Sequence, residues 1–75
     1  MGFTVKQWRM AKGISQEQMA NVCGVHRSTY AEWEERPENI SVKNAVKISR
    51  ALGESVDAVF FSPEFLQNVG NEETV

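Results

Sequence analysis

The sequence predicts an all-α fold, a compact domain of five short helices, and three observations carry that prediction. Apolar residues recur at helical spacing within each segment. The segments are bounded by a repeated punctuation: Thr4, Ser15, Ser41 and Ser55 stand where a helix needs an N-cap, and Gly13, Gly24 and Gly53 stand where one must stop. No stretch alternates apolar and polar residues in the manner of a half-buried strand, and the chain has no internal repeat or low-complexity block.

The first helix is expected from a Thr4 cap to Lys12, with Val5 and Trp8 inward and Gly13 as the stop; Ile14 packs just beyond it. Ser15 begins the second, and Gln18, three residues on, completes a capping-box pattern. Met19, Ala20, Val22 and Cys23 fall on its inner side, and Gly24 closes it in the left-handed conformation that glycine tolerates. The third starts near His26 or Arg27 and runs through Glu34. At about 100° per residue, Tyr30 and Trp33 point one way while Ser28, Ala31 and Glu32 point the other, with Arg27 and Thr29 on the flanks. Pro37 forbids a continuous helix, so residues 35–40 are expected as a loop. Ser41 caps a fourth helix to Leu52 whose inward stripe is Val42, Ala45, Val46, Ile48, Ser49 and Leu52, with Lys43, Lys47 and Arg50 outward. Ser55 caps a short fifth helix with Val56, Val59 and Phe60 on its apolar side. The domain is expected over residues 1–61, followed by an extension, 62–75. There Ser62-Pro63 has the form of one more helix start, residues 64–69 suit a single turn, and the tail after Gly70 is polar.

Seventy-five residues make one domain. A chain of this size buries roughly 60 to 65% of its unfolded surface, too little to house a catalytic cleft comfortably. One histidine and one cysteine supply no metal-ligand spacing, no glycine-rich phosphate loop occurs, and no catalytic constellation is present, so neither metal nor cofactor is expected. Cys23 reads as a reduced core thiol. No apolar run reaches a membrane span and the N-terminus lacks signal-peptide regions, which together suggest a cytoplasmic protein. The net charge of −2 argues against a generic polyanion binder, but it is unevenly placed: residues 1–53 hold all 8 basic groups against 5 acidic ones.

Helix, glycine turn, helix over residues 15–34 is a common unit; the wider spacing is more specific. Arg9-x-x-Lys12-Gly13-Ile14-Ser15-Gln16-Glu17-x-x-Ala20, then Gly24-Val25, Trp33-Glu34, and Ile48-x-x-Ala51-Leu52-Gly53-x-Ser55-x-Asp57 resemble the helix-turn-helix family of lambdoid phage repressors, Cro proteins and XRE-type bacterial regulators. The resemblance covers residues 4–61. It implies a lambda-repressor-like fold and a bacterial or phage-encoded, sequence-specific DNA-binding regulator that acts as a homodimer on a palindromic operator. It also implies that Gln16 anchors a phosphate, and that Arg9 pairs with Glu34 as a clamp between helices; without it, Arg9 reads as an ordinary solvated arginine. Two features depart from the family pattern. His26 replaces the usual serine or threonine at the cap, and the loop lacks an early glycine and is poor in cations, with Arg36 flanked by Glu35 and Glu38.

A two-turn helix with a polar outer face suits the major groove, about 12 Å wide. Arg27 is matched to guanine N7 and O6, Ser28 and Thr29 to bases or phosphate, and Ala31 to a thymine methyl. Glu32 either accepts from cytosine N4 or stays in water, repelled by phosphate. His26 either caps weakly, donates to phosphate or faces solvent. Arg36 and Lys43 are the further phosphate candidates. Phe60, Phe61, Phe65 and Leu66 crowd the end of a chain with little core left to fill and are expected to form the dimer interface, the alternative being that Pro63 to Leu66 fold back and seal the core. The alternative is a protein-interaction module of the same fold, an antitoxin or antirepressor-type partner binder. No small-molecule ligand is expected.

Overall fold

The computed structural model describes residues 4–61; the expected extension, with Phe65 and Leu66, lies outside them. The order of elements is α1 (Val5–Ala11), α2 (Gln16–Cys23), α3 (Arg27–Glu35), a single 3-10 turn (Pro37–Asn39), α4 (Val42–Leu52) and α5 (Val56–Phe60). Among the described residues all regular structure is helical.

Local hydrogen bonds account for the helix starts. The Thr4 hydroxyl accepts from the Gln7 N–H at 3.1 Å and the Gln7 side chain accepts from the Thr4 N–H at 2.9 Å; Ser15 and Gln18 repeat this box at 3.0 and 2.8 Å. Ser41 and Ser55 cap α4 and α5 from one side only, through the N–H groups of Asn44 and Ala58. Each satisfies a donor that the helix itself leaves orphaned, worth about 1 kcal/mol per cap.

The core is built across the helices rather than along them. α2 packs on α3 and α4, α4 on α5, and α5 reaches back to α1. Val5, Met19, Tyr30, Ile48, Leu52 and Val59 fill the interior, and Trp8, Ile14, Val25 and Trp33 close over it. Burial of side chains of this size contributes about 1.5 to 3 kcal/mol each. Cys23 is buried there as a free thiol, its pKa pushed up by burial against a smaller opposing pull from Lys47.

Three inward or outward assignments and one interface assignment need correction. Val22 is 46% exposed, because Met19, Ala20 and Cys23 define a core face from which it is rotated by about 100°. Val42 is 80% exposed although it continues the Ala45, Ser49 and Leu52 stripe; its turn lies at the start of α4, on the lip of an open apolar groove shared with Pro37, Ile40 and Phe61. Lys47, placed outward by periodicity, is half-buried. Phe60 is a core residue, 5% exposed, and so does not belong to the expected interface; Val56, Val59 and Phe60 at i, i+3 and i+4 form the inner side of α5, and Phe61, past its end, turns out to solvent at 58%.

Candidate nucleic-acid interface

α2 and α3 are joined by a turn that glycine makes possible. Gly24 sits at φ 72° and ψ 31°, the left-handed region, and the Val25 N–H then donates back to the Ala20 carbonyl at 3.0 Å. This reverses the chain and starts α3 at a fixed angle to α2. His26 caps α3: its Nδ1 accepts from the Ser28 N–H at 3.3 Å and lies 3.0 Å from the Ser28 hydroxyl. Because the backbone N–H can only donate, Nδ1 is the acceptor in this cap.

The inner side of α3 is held by Tyr30, with 0% exposure, and half-buried Trp33, whose rings meet edge to face with centroids 6.2 Å apart. The outer side is therefore presented rigidly. Arg27, Ser28, Thr29 and Glu32 are exposed and Ala31 is half-buried, so none of the five residues singled out for base contact is taken up by the core. Of the residues singled out for phosphate, His26 is occupied in capping, Lys43 is exposed in the first turn of α4, and Arg36 stands 3.7 Å from Glu32 one turn earlier. Both side chains of that last pair are about three-fifths exposed, where an ion pair contributes little and is screened by salt.

Beneath the surface lies an ion pair. Arg9 Nε is 2.5 Å from Glu34 Oε2, Arg9 Nη2 donates to Glu34 Oε1 at 3.3 Å, and Arg9 Nη1 donates to the Ile14 carbonyl at 2.7 Å. The Glu34 side chain is only 2% exposed. Burial alone raises its pKa; hydrogen bonding from Arg9, the adjacent Tyr30 hydroxyl and Gln16 outweighs burial and holds the carboxyl below its ordinary range. The Tyr30 hydroxyl is buried beside this carboxylate and feels its charge. Burial first, and then Glu34, push that phenol up and keep it neutral.

Gln16 joins this pair to the surface. Its Nε2 donates to Glu34 Oε1 at 3.0 Å, and its Oε1 accepts from Arg27 Nη1 at 3.2 Å. The spacing of Gln16 with Ala20 and Cys23, at i, i+4 and i+7, already places it on the inner face of α2, a signal that a polar residue type conceals. An open cleft of about 630 Å³ runs between α1 and the start of α2, lined by Lys6, Met10, Ser15, Gln16, Glu17 and Arg27. Lys6 was not among the candidates from sequence. Only the tertiary fold brings Lys6 of α1 to the cleft shared by Gln16 and Arg27.

A capped helix pair with a glycine turn, a buried inner face and a polar outer face defines the class of helix-turn-helix proteins. The chain belongs to the helix-turn-helix family, whose model matches residues 5–59. It is 42% identical over 53 residues to the control protein C.BamHI of Bacillus amyloliquefaciens, a match covering 69% of this chain and 65% of that protein. It is 36% identical over 56 residues to the SPbeta prophage-derived uncharacterized HTH-type transcriptional regulator YonR of Bacillus subtilis, covering 75% of this chain and 52% of that one. Among solved structures it resembles the hypothetical transcription factor NHTF from Neisseria, with a TM-score of 0.67 and 30% identity over 85% of this chain and 74% of the other. The chain thus spans a little under two thirds of the first of these relatives and about half of the second.

Proposed function

We propose that this chain is a sequence-specific DNA-binding transcriptional regulator, and that it binds as a homodimer with α3 of each copy in the major groove of a two-fold operator. One observation carries the reading: the buried Tyr30 and half-buried Trp33 take the inner face of α3, and Arg27, Ser28 and Thr29 are all left exposed at the start of that helix. That end of a recognition helix is the part that meets base edges. Family membership and relatives named as a control protein and an HTH-type transcriptional regulator support it. In this reading Arg27, Ser28, Thr29, Ala31 and Glu32 face bases, while Gln16, Lys43 and Arg36 face the backbone, with Lys6 added from the cleft. No described helix is long and apolar enough to cross a membrane, which fits action on DNA in the cytoplasm.

The apolar groove formed by Pro37, Ile40, Val42 and Phe61 supports pairing of two copies. It equally favours the second reading, a module that docks another protein by the same fold. Selection from a random duplex pool, followed by titration of the enriched duplex and its scrambled counterpart at several salt concentrations, tests the proposal. A regulator enriches a sequence with two-fold symmetry and binds it orders of magnitude more tightly than the scrambled duplex. Absence of enrichment and of salt-dependent binding would favour the second reading.

A further inference from the structure

We propose that Glu34 is a positioning residue for base recognition: acting through the Gln16 amide, it sets how the Arg27 guanidinium is presented at the start of α3. This rests on the reading of Arg27 as a base contact.

The argument begins with donors and acceptors. A carboxylate only accepts and a guanidinium only donates. Gln16 stands between one of each, so a single amide orientation satisfies both neighbours: Nε2 toward Glu34 Oε1 at 3.0 Å and Oε1 toward Arg27 Nη1 at 3.2 Å. The reversed amide would set oxygen against oxygen and NH2 against guanidinium. Glu34 cannot adapt to such a reversal, because its side chain is 2% exposed and gripped by Arg9, which is itself tied to the Ile14 carbonyl at 2.7 Å. Orientation therefore passes from a fixed interior to an exposed end. Arg27 is long and exposed, with many rotamers to lose on binding. Restraining it beforehand removes part of that ordering cost, and support of a contact residue by a buried second residue is how side-chain direction is held within a narrow range. Gln16 keeps a second amide N–H for a phosphate oxygen, so one side chain serves both the backbone and the guanidinium.

A double-mutant cycle tests this, using a duplex enriched from a random pool by the unsubstituted protein and its scrambled counterpart. Glu34→Gln is expected to weaken discrimination between the two duplexes by about three- to tenfold, and that loss is expected to vanish when Arg27 is already alanine. If the loss is the same with and without Arg27, Glu34 is a structural clamp only and this proposal falls while the reading of Arg27 stands. If Arg27→Ala alone leaves discrimination intact, Arg27 reads no base and both fall. Should Glu34→Gln fail to fold, Gln16→Met preserves the Arg9–Glu34 pair and cuts the link. An Arg27-dependent loss of discrimination supports the proposal, and an equal loss on both duplexes overturns it.

Discussion

Arg27 and Glu34 sit seven residues apart on one helix, and their surroundings give them opposite tasks. Arg27 is exposed at the N-terminal end of α3, where a guanidinium suits the paired acceptors of guanine. Its replacement by alanine is expected to cost about 1 to 3 kcal/mol on the preferred duplex and much less on a scrambled one. Titration of both duplexes checks this, and an equal loss would make Arg27 a phosphate contact. Glu34 is buried and paired, and removing either side of such a pair strands a charge. Arg9→Ala and Glu34→Ala are each expected to lose about 3 kcal/mol of stability, with the double variant losing clearly less than their sum. Chemical denaturation of the three variants decides it, since strict additivity would mean the pair carries no coupling. The Glu34 pKa is lowered on folding, so its contribution is fully present above the ordinary carboxylate value near 4.5 and is lost as pH falls through the lowered folded value. The melting temperature is therefore expected to fall below about pH 4.5 in the unsubstituted protein. The Glu34→Gln variant should show a flatter acid limb.

Each helix carries its own start and stop. The capping box at Ser15 joins residues three apart and is readable directly from sequence, as are the cap at Thr4 and the stop at Gly24. Which residues face inward was readable only where a full stripe is buried, as at Ala45, Ile48, Ser49 and Leu52. It was not readable at helix ends: Val42 and Phe61 continue apolar patterns but lie where no described neighbour covers them. Gly24→Ala isolates the stop. A Cβ there meets no atom within 4 Å, so any penalty is the backbone's own at φ 72°, about 1 kcal/mol. Denaturation is expected to show that loss with the cooperative transition intact; a much larger loss would place the turn under tertiary constraint.

At the scale of the whole molecule, recognition by two copies requires that α3 helices be set about one DNA turn, 34 Å, apart. In the proposed homodimer, the exposed Phe61, beside Pro37, Ile40 and Val42, is the place from which that spacing would be set. Phe61→Glu is expected to leave the fold intact, since the side chain is 58% exposed, while converting a dimer to a monomer and weakening operator binding at least tenfold by loss of the second contact. Sedimentation and duplex titration check this together. A monomeric unsubstituted protein at high micromolar concentration would remove this interface, and unfolding by Phe61→Glu would return the residue to the core.

The sequence by itself determined the helical class, the starts of the helices and the identity of the outward residues on α3, because caps, glycine stops and helical periodicity all act within about four residues along the chain; it did not show that the stretch expected as a loop at 35–40 takes in the last residue of α3 and a 3-10 turn, Pro37–Asn39. It also marked Arg9, Gln16 and Glu34 through their resemblance to a family. Only the tertiary structure decided that Gln16 bridges Glu34 to Arg27, that Lys6 enters the same cleft, and that Phe60 is interior while Phe61 is not. Those contacts join side chains from α1, α2 and α3, or depend on where one helix ends against another. Neither quantity is fixed by spacing along a single helix; both follow from how the helices pack.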